Sequence, residues 1–116
     1  MKLLIDDIRA YSNVMVDVIA RRADLGIEIM TRFYKRTDFL YLDHDLGDEF
    51  EFVFDNELYK NNGYSVLLFL ERPENEEHRP KTIELVTSNP PARAKMASAL
   101  TNIGYVLIDG RWNYKN

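Results

Sequence analysis

Residues 37–47 read TDFLYLDHDLG, an apolar run that ends in two carboxylates on either side of a histidine. Residues 39–42 have no polar break, which is typical of a central strand covered on both faces of a parallel sheet. Ligands of open α/β sheets bind outside the carboxyl ends of the strands. Asp43, His44 and Asp45 therefore stand where a site is expected. The alternative is a loop in which these aspartates cap backbone amides and Gly47 makes the turn.

Length and composition indicate one domain over residues 1–116, which is long enough to bury a core without disulfides or metals. The absence of cysteine excludes disulfides, thiolate metal sites and thiol nucleophiles. The first apolar run is too short for a signal peptide or a membrane span. We therefore predict no membrane association and a cytoplasmic location, which is the host cytoplasm if a phage encodes the chain.

The net charge is −4 and the isoelectric point about 5.1. This balance disfavours a broad nucleic-acid-binding surface, because such a surface attracts phosphates through an excess of basic residues. A local basic pocket is still compatible with this negative net charge.

The order of elements predicts the fold class. Apolar and β-branched runs predict strands at 3–5, 14–19, 39–42, 82–86 and 105–108, and helical spacing predicts helices at about 24–34, 64–71 and 90–103. Asp24 is the predicted N-cap of the first of these helices. The alternation predicts an α/β fold with a mostly parallel five-stranded sheet and helices on both faces. Residues 8–13 are too few for a normal crossover helix, so either a first helix is reduced there or the second strand is misplaced. A turn at Asp109 and Gly110 leads into a polar tail.

The segment after Gly47 carries an aromatic stripe. Phe50, Phe52 and Phe54 alternate with mostly charged residues, which predicts a strand or hairpin arm with one aromatic face. It could serve as a lid, as a dimer edge or as a flap packed on the body. We favour the flap, because an exposed aromatic stripe promotes association.

Acidic residues follow two of the predicted strands. Asp6 and Asp7 come after the first and Asp43 after the third, so aligned strand ends bring all three together. Adjacent carboxylates repel one another unless a cation is near. Three hard oxygen ligands suit Mg²⁺, which binds proteins through a few carboxylates and substrate phosphates. This edge of the sheet is therefore a predicted magnesium site.

The segment after the fourth strand predicts a phosphate site. Thr87 is followed by Ser88 and Asn89, either of which can cap the helix that opens with two prolines. The free amides and positive dipole of a helix N-terminus attract anions. Arg93, one turn into the helix, adds a positive charge.

These motifs resemble the receiver fold of response regulators over essentially the whole chain. More closely, LIDDIR (4–9), LDHDLG (42–47), GY (63–64) and SNP (88–90) with Arg93 and Met96 resemble the cyclic-phosphate processing receiver domains, small proteins of bacteria and phages. The resemblance implies a receiver-like (flavodoxin-like) fold and a metal-dependent site that acts on cyclic phosphates or related nucleotide ends. Three departures stand out. The lysine that receivers carry after strand five is missing, and Arg111 is the basic residue nearest to its position. Thr87 replaces a histidine common in the family, and the insertion at 48–62 is long.

Three hypotheses follow. The first is a Mg²⁺-dependent enzyme that processes a cyclic or terminal phosphate of a nucleotide or RNA end, with His44, Asp43 and Asp45 as catalytic residues. Its metal ligands are Asp6, Asp7 and Asp43, and its phosphate ligands are Thr87, Ser88, Asn89 and Arg93. The second is a non-catalytic adaptor that binds a protein partner through Phe50, Phe52 and Phe54. The third is a signalling receiver in which Asp43 accepts a phosphoryl group and Thr87 reports it.

Overall fold

The computed structural model describes residues 1–8, 16–33 and 37–115. Its elements, in chain order, are β1 (Lys2–Ile5), β2 (Val18–Ala20), α1 (Ala23–Arg32), β3 (Phe39–Leu42), β4 (Glu51–Phe54), β5 (Glu57–Lys60), α2 (Gly63–Glu71), a 3₁₀ helix (Pro73–His78), β6 (Thr82–Leu85), α3 (Pro90–Ile103), β7 (Tyr105–Ile108) and β8 (Arg111–Tyr114). No helix in these described ranges is long and apolar enough to cross a membrane.

The main sheet confirms the predicted α/β class. Its strand order is β2-β1-β3-β6-β8-β7, and β2, β1, β3 and β6 run parallel. Ile5, Leu42 and Leu85 are register partners at the carboxyl ends of β1, β3 and β6. The chain segments that leave these three strands therefore begin at one edge of the sheet. This arrangement is a mostly parallel, receiver-like sheet.

The prediction of five strands is wrong, because the predicted polar tail is strand β8. Asp109 and Gly110 adopt positive φ values of 53° and 78°, which form a two-residue turn between antiparallel strands. The chain reverses there, and β8 pairs with β7 on one side and β6 on the other. The predicted last strand, β7, is thus separated from β6 and lies at the edge of the sheet.

The described helices all pack on one face of the sheet, so the prediction of helices on both faces is not met in this part of the chain. Alternate strand residues join buried residues of α1, α2 and α3 in one large cluster. The opposite face carries a smaller cluster of Leu4, Tyr41 and Val86. The predicted reduced first helix and the first two residues of the predicted second strand lie outside the described residues.

Helix α1 starts differently from the prediction. Arg22 precedes the helix, its side chain makes no capping hydrogen bond, and Asp24 lies in the first turn, so Asp24 is not the N-cap. The carboxylate of Asp24 accepts hydrogen bonds from the Arg22 guanidinium at 3.0 and 3.1 Å. The first helical amide, that of Ala23, donates to Asn61 instead.

Strands β4 and β5 form a separate antiparallel hairpin that packs on the body. Phe52 stacks on Tyr59, and Phe54 meets Phe69 of α2 edge to face, with ring centroids 5.7 and 5.6 Å apart. The outward face carries Val53 and Leu58, which are cross-strand partners and 67% and 62% exposed. Phe52 and Phe54 therefore pack on the body, as the flap interpretation predicts.

Candidate functional site

The predicted acidic cluster forms at the carboxyl ends of β1 and β3. Asp6 and Asp43 are buried, with 1% and 8% exposure, and Asp7 is half-buried. One carboxylate oxygen from each of the three lies within 4.8 Å of the others. Because like charges at this spacing repel one another, the cluster favours a bound cation.

Backbone amides orient two of these carboxylates. Oδ1 of Asp6 accepts a hydrogen bond from the amide of Ile8 at 3.0 Å, and Oδ1 of Asp43 accepts one from the amide of His44 at 2.8 Å. Carboxylate oxygens are the hard ligands that Mg²⁺ prefers. Proteins usually bind this ion through a few carboxylates, and water or substrate phosphates supply the other ligands. The donor set of Asp6, Asp7 and Asp43 therefore fits this ion.

Two glycines allow the chain to pass close to the acidic cluster. A Cβ on Gly63 would overlap the carbonyl oxygen of Asp43, and the Gly63 amide donates to the carbonyl of His44 at 2.8 Å. Gly47 has a φ of 79°, and a Cβ there would lie 3.3 Å from Oδ2 of Asp7. From the sequence, Gly47 was predicted as a turn residue and Gly63 was noted as part of the GY motif. The structure shows that residue 63 must be glycine for steric reasons.

His44 and Asp45 form a pair beside the acidic cluster. Nδ1 of His44 lies 2.9 Å from Oδ1 of Asp45, and the imidazole is 23% exposed while the carboxylate is 70% exposed. When Nδ1 carries the proton, it donates to Asp45 and leaves Nε2 with a lone pair. β3 has ended at Leu42, and the backbone bends at His44. A pair of this kind can accept and return a proton.

Asn61 is a structural residue for which no role in the site was predicted from the sequence. Its side chain is buried, and Oδ1 accepts from the amide of Ala23 at 2.8 Å. Its Nδ2 donates to the carbonyls of Leu46 and Asp48 at 3.1 and 3.0 Å. One amide group thus ties the start of α1 to the loop that follows His44. The neighbouring Asn62 caps α2 by accepting from the amide of Ser65.

The segment after β6 begins at the same sheet edge as the acidic cluster, since β6 neighbours β3. Thr87 is buried, and its Oγ1 accepts from the amide of Asn89 at 3.1 Å. Its carbonyl accepts from Nη2 of Arg93 at 2.7 Å. Ser88 is exposed. The structure therefore brings Thr87, Asn89 and Arg93 into direct contact.

The expectation of free amides at the start of α3 is wrong. Pro90 and Pro91 occupy the first two helical positions and have no N–H, and the next amide, that of Ala92, donates to the Asn89 side chain at 3.2 Å. Asn89 is therefore confirmed as the cap. An anion at this end can use the helix dipole, the Ser88 hydroxyl and the Arg93 guanidinium.

Arg111 does not stand in for the missing lysine. Its guanidinium bonds to Glu84 at 3.2 Å and lies 5.0 Å from the ring centroid of Phe39. These contacts are on the sheet face opposite the described helices, because the strand residues beside Glu84 point the other way. The inserted strand β8 is the reason for this placement.

A pocket of about 540 Å³ lies between the loop after His44 and the base of the β4–β5 hairpin. Its lining residues are 44–47, 49–51 and 60–62. His44 and Asp45 belong to its wall. Gly47 also lines it and lies close to the side chain of Asp7. Among the described residues, neither the acidic cluster nor residues 87–93 line it. This pocket could not be predicted from the sequence, because its walls come from segments that meet only in the fold.

Comparison with known proteins identifies the family. The model of the family described as the cyclic-phosphate processing receiver domain matches residues 1–102. No curated protein and no solved structure matches the chain. The matched residues hold the acidic cluster, the His44–Asp45 pair and the segment after β6, and they make up most of the 116 residues. The chain therefore belongs to the cyclic-phosphate processing receiver domain family.

Proposed function

We propose that this protein is a Mg²⁺-dependent enzyme that processes a cyclic or terminal phosphate on a nucleotide or an RNA end. The observation that carries the proposal is the convergence of Asp6, Asp7 and Asp43 within 4.8 Å. Membership of a cyclic-phosphate processing family supports the class of substrate. We expect the reaction to take place in the cytoplasm.

Asp6, Asp7 and Asp43 would hold the metal ion. A bound Mg²⁺ polarises a phosphoryl oxygen and lowers the pKa of water. The protein contributes the direction of the carboxylates, which the amides of Ile8 and His44 fix by hydrogen bonds. This preorganisation means that little reorientation is needed when the ion enters.

His44 would act as the general base or acid. An imidazole nitrogen can take up a proton and release it again, which is the chemistry that a general base or acid needs. Asp45 holds Nδ1 through the 2.9 Å hydrogen bond and thereby leaves Nε2 to take a proton from the nucleophile or return it to the leaving oxygen. Asp45 is in this sense a positioning residue.

Arg93 and Ser88 would bind the phosphate. Arg93 uses Nη2 on the carbonyl of Thr87, and this bond holds its guanidinium next to the segment that follows β6. A guanidinium has five N–H donors, so others remain for phosphate oxygens. Thr87 and Asn89 support the segment through the hydrogen bond between them.

A Mg²⁺ titration of the wild type and of Asp43→Asn, followed by NMR or calorimetry, tests the metal site. We expect the wild type to bind Mg²⁺ and to cleave a 2′,3′-cyclic nucleotide, and Asp43→Asn to lose both. Saturating Mg²⁺ at a hundred times its dissociation constant should also raise the unfolding free energy of the wild type by about 2.7 kcal/mol.

Asp109→Asn is the matched control, because Asp109 is exposed and asparagine tolerates its left-handed conformation. This variant should behave like the wild type. Unchanged Mg²⁺ binding and unchanged activity in Asp43→Asn would refute the proposal.

An adaptor function is the second candidate, favoured by the exposed pair Val53 and Leu58 on the outer face of the hairpin. Phe52 and Phe54 face the body, so the outer pair is more accessible to a partner than these two rings are. Binding of a partner through Phe50, Phe52 and Phe54 stays a prediction. If the adaptor function is correct, Val53→Ser combined with Leu58→Ser abolishes partner capture and Asp43→Asn leaves it intact.

A further inference from the structure

The pocket beside His44 has features that the phosphate chemistry does not use. Its volume of about 540 Å³ is within the range of about 300–1,000 Å³ that is usual for small-molecule sites. His44 stands in its wall, so anything bound there lies next to the group that we assign to proton transfer. The inference drawn from it rests on the proposed function and deepens it.

The charge of the pocket argues against a second phosphate. The residues that line it include three acidic ones, Asp45, Glu49 and Glu51, and one basic one, Lys60. A carboxylate-rich wall repels an anion and accepts hydrogen bonds from N–H donors. The pocket is therefore suited to a neutral group that presents N–H.

An aromatic ring completes the wall. Phe50 lines the pocket and is half-buried. The guanidinium of Arg22 lies 5.6 Å from its ring centroid, and Arg22 is held in turn by Asp24. Phe52 packs at a ring-centroid distance of 6.3 Å. Because its neighbours hold this ring, it provides a fixed platform for stacking a planar group.

We propose that this pocket binds the nucleobase next to the phosphate that is processed, and that it prefers bases with an exocyclic amino group. Glu49 and Glu51 accept the amino N–H donors, and Phe50 stacks on the ring of the base. Guanine and cytosine carry such an amino group, whereas uracil lacks it. The residues where the β4–β5 hairpin joins the body thus set the specificity of the site for one end of a nucleotide or RNA.

Titration with free nucleosides tests this binding without phosphate or metal. Guanosine, cytidine and uridine are added to the full chain in Mg²⁺-free buffer, and amide NMR shifts are followed. We expect saturable shifts of residues that line the pocket with guanosine and cytidine, and binding of uridine weaker by about tenfold or more.

The double variant Glu49→Gln, Glu51→Gln should lose the preference for amino-bearing bases. Glu71→Gln, Glu77→Gln is the matched control, since it removes two exposed carboxylates that do not line the pocket. Phe50→Leu should weaken all three nucleosides together while its amide spectrum shows a folded protein. Absence of nucleoside binding in the wild type, or equal affinity for uridine and cytidine, would overturn the proposal.

Asp43→Asn separates this inference from the proposed function. The variant should bind nucleosides as the wild type does, because Asp43 does not line the pocket. If the wild type binds nucleosides but neither Mg²⁺ nor a cyclic phosphate, the proposed reaction fails and the base site stands. If it binds Mg²⁺ and cleaves cyclic phosphates but ignores nucleosides, the base site fails and the reaction stands.

Discussion

Single residues set the shape of the acidic cluster, and Gly63 has the least freedom among them. Its missing side chain lets α2 start against the backbone of Asp43, and its amide donates to His44. We expect Gly63→Ala to push residues 43 and 44 away from α2. The unfolding free energy should fall by about 3 kcal/mol, as for an overpacked core, and Mg²⁺ affinity should fall with it. Chemical denaturation and a Mg²⁺ titration measure the two effects.

Gly110→Ala is the control for this substitution. A Cβ on Gly110 would meet no atom within 4 Å, but its φ of 78° is strained for alanine. This variant should lose only about 1 kcal/mol of stability and keep its Mg²⁺ affinity. Equal effects of the two substitutions would contradict the steric role of Gly63.

At the scale of residues, the acidic cluster could be predicted and its supports could not. Asp6, Asp7 and Asp43 each follow an apolar run, and the ends of parallel strands meet at one sheet edge. Asn61 gives no such signal, because its three partners, Ala23, Leu46 and Asp48, come from two other segments of the chain. The prediction of free amides at the start of α3 failed because none of its first three residues has an N–H available for an anion. Two of them are prolines, and the amide of the third donates to Asn89.

Among the elements, the contact between α1, the loop after His44 and the β4–β5 hairpin depends on Asn61. Replacing Asn61 by Ala leaves one buried amide and two carbonyls without this partner. The unfolding free energy should fall by about 2–3 kcal/mol. Because residues 46–48 also lose their anchor, nucleoside binding should weaken while the fold persists. Denaturation and the nucleoside titration report the two effects.

Asn102→Ala provides the comparison, since Asn102 is exposed on α3. Its stability should change by less than about 0.5 kcal/mol. A loss of the same size in both variants would mean that the Asn61 hydrogen bonds do not hold these elements together.

The β4–β5 and β7–β8 hairpins show which strands could be predicted from the sequence and which could not. Alternation in 50–54 predicted a strand with an inward aromatic face, and Phe52 and Phe54 have it. Strand β8 was missed because Arg111 and Asn113 make the segment polar, which outweighed the turn signal of Asp109 and Gly110. It is held in the sheet by pairing with two neighbours and by Trp112, which packs on the core, and both are tertiary effects.

For the molecule as a whole, Tyr105 links the end of α3 to the sheet. It also makes the unfolding free energy depend on pH in the alkaline range. Its ring is buried and its hydroxyl donates to the carbonyl of Pro80. Burial raises the pKa of Tyr105 above its ordinary value of 10.0. The unfolded chain therefore ionises first, and the contribution of the neutral phenol is complete below pH 10 and declines as pH rises above it.

Urea denaturation between pH 8 and pH 11 measures this effect. The unfolding free energy of the wild type should decline above pH 10, and Tyr105→Phe should reduce the slope, although it is less stable at pH 8 because it lacks the hydrogen bond to Pro80. Tyr64→Phe keeps Tyr105 and should retain the wild-type slope. A slope unaffected by Tyr105→Phe would contradict the assignment.

The receiver-like class was predictable because alternating strands and helices leave few arrangements. The number of strands was not, since it depends on where the last segment docks. The family match ends at residue 102, so β7 and β8 also lie beyond the part that the family pattern describes.

The position of β8 has a consequence for the order in which the molecule is made. Its residues leave the ribosome after those of every other described strand, yet it lies inside the sheet between β6 and β7. Until it emerges, β6 has an open edge and β7 has no strand to join. The acidic cluster depends only on earlier strands, so the edge that carries it can assemble during translation, whereas the opposite end of the sheet closes last.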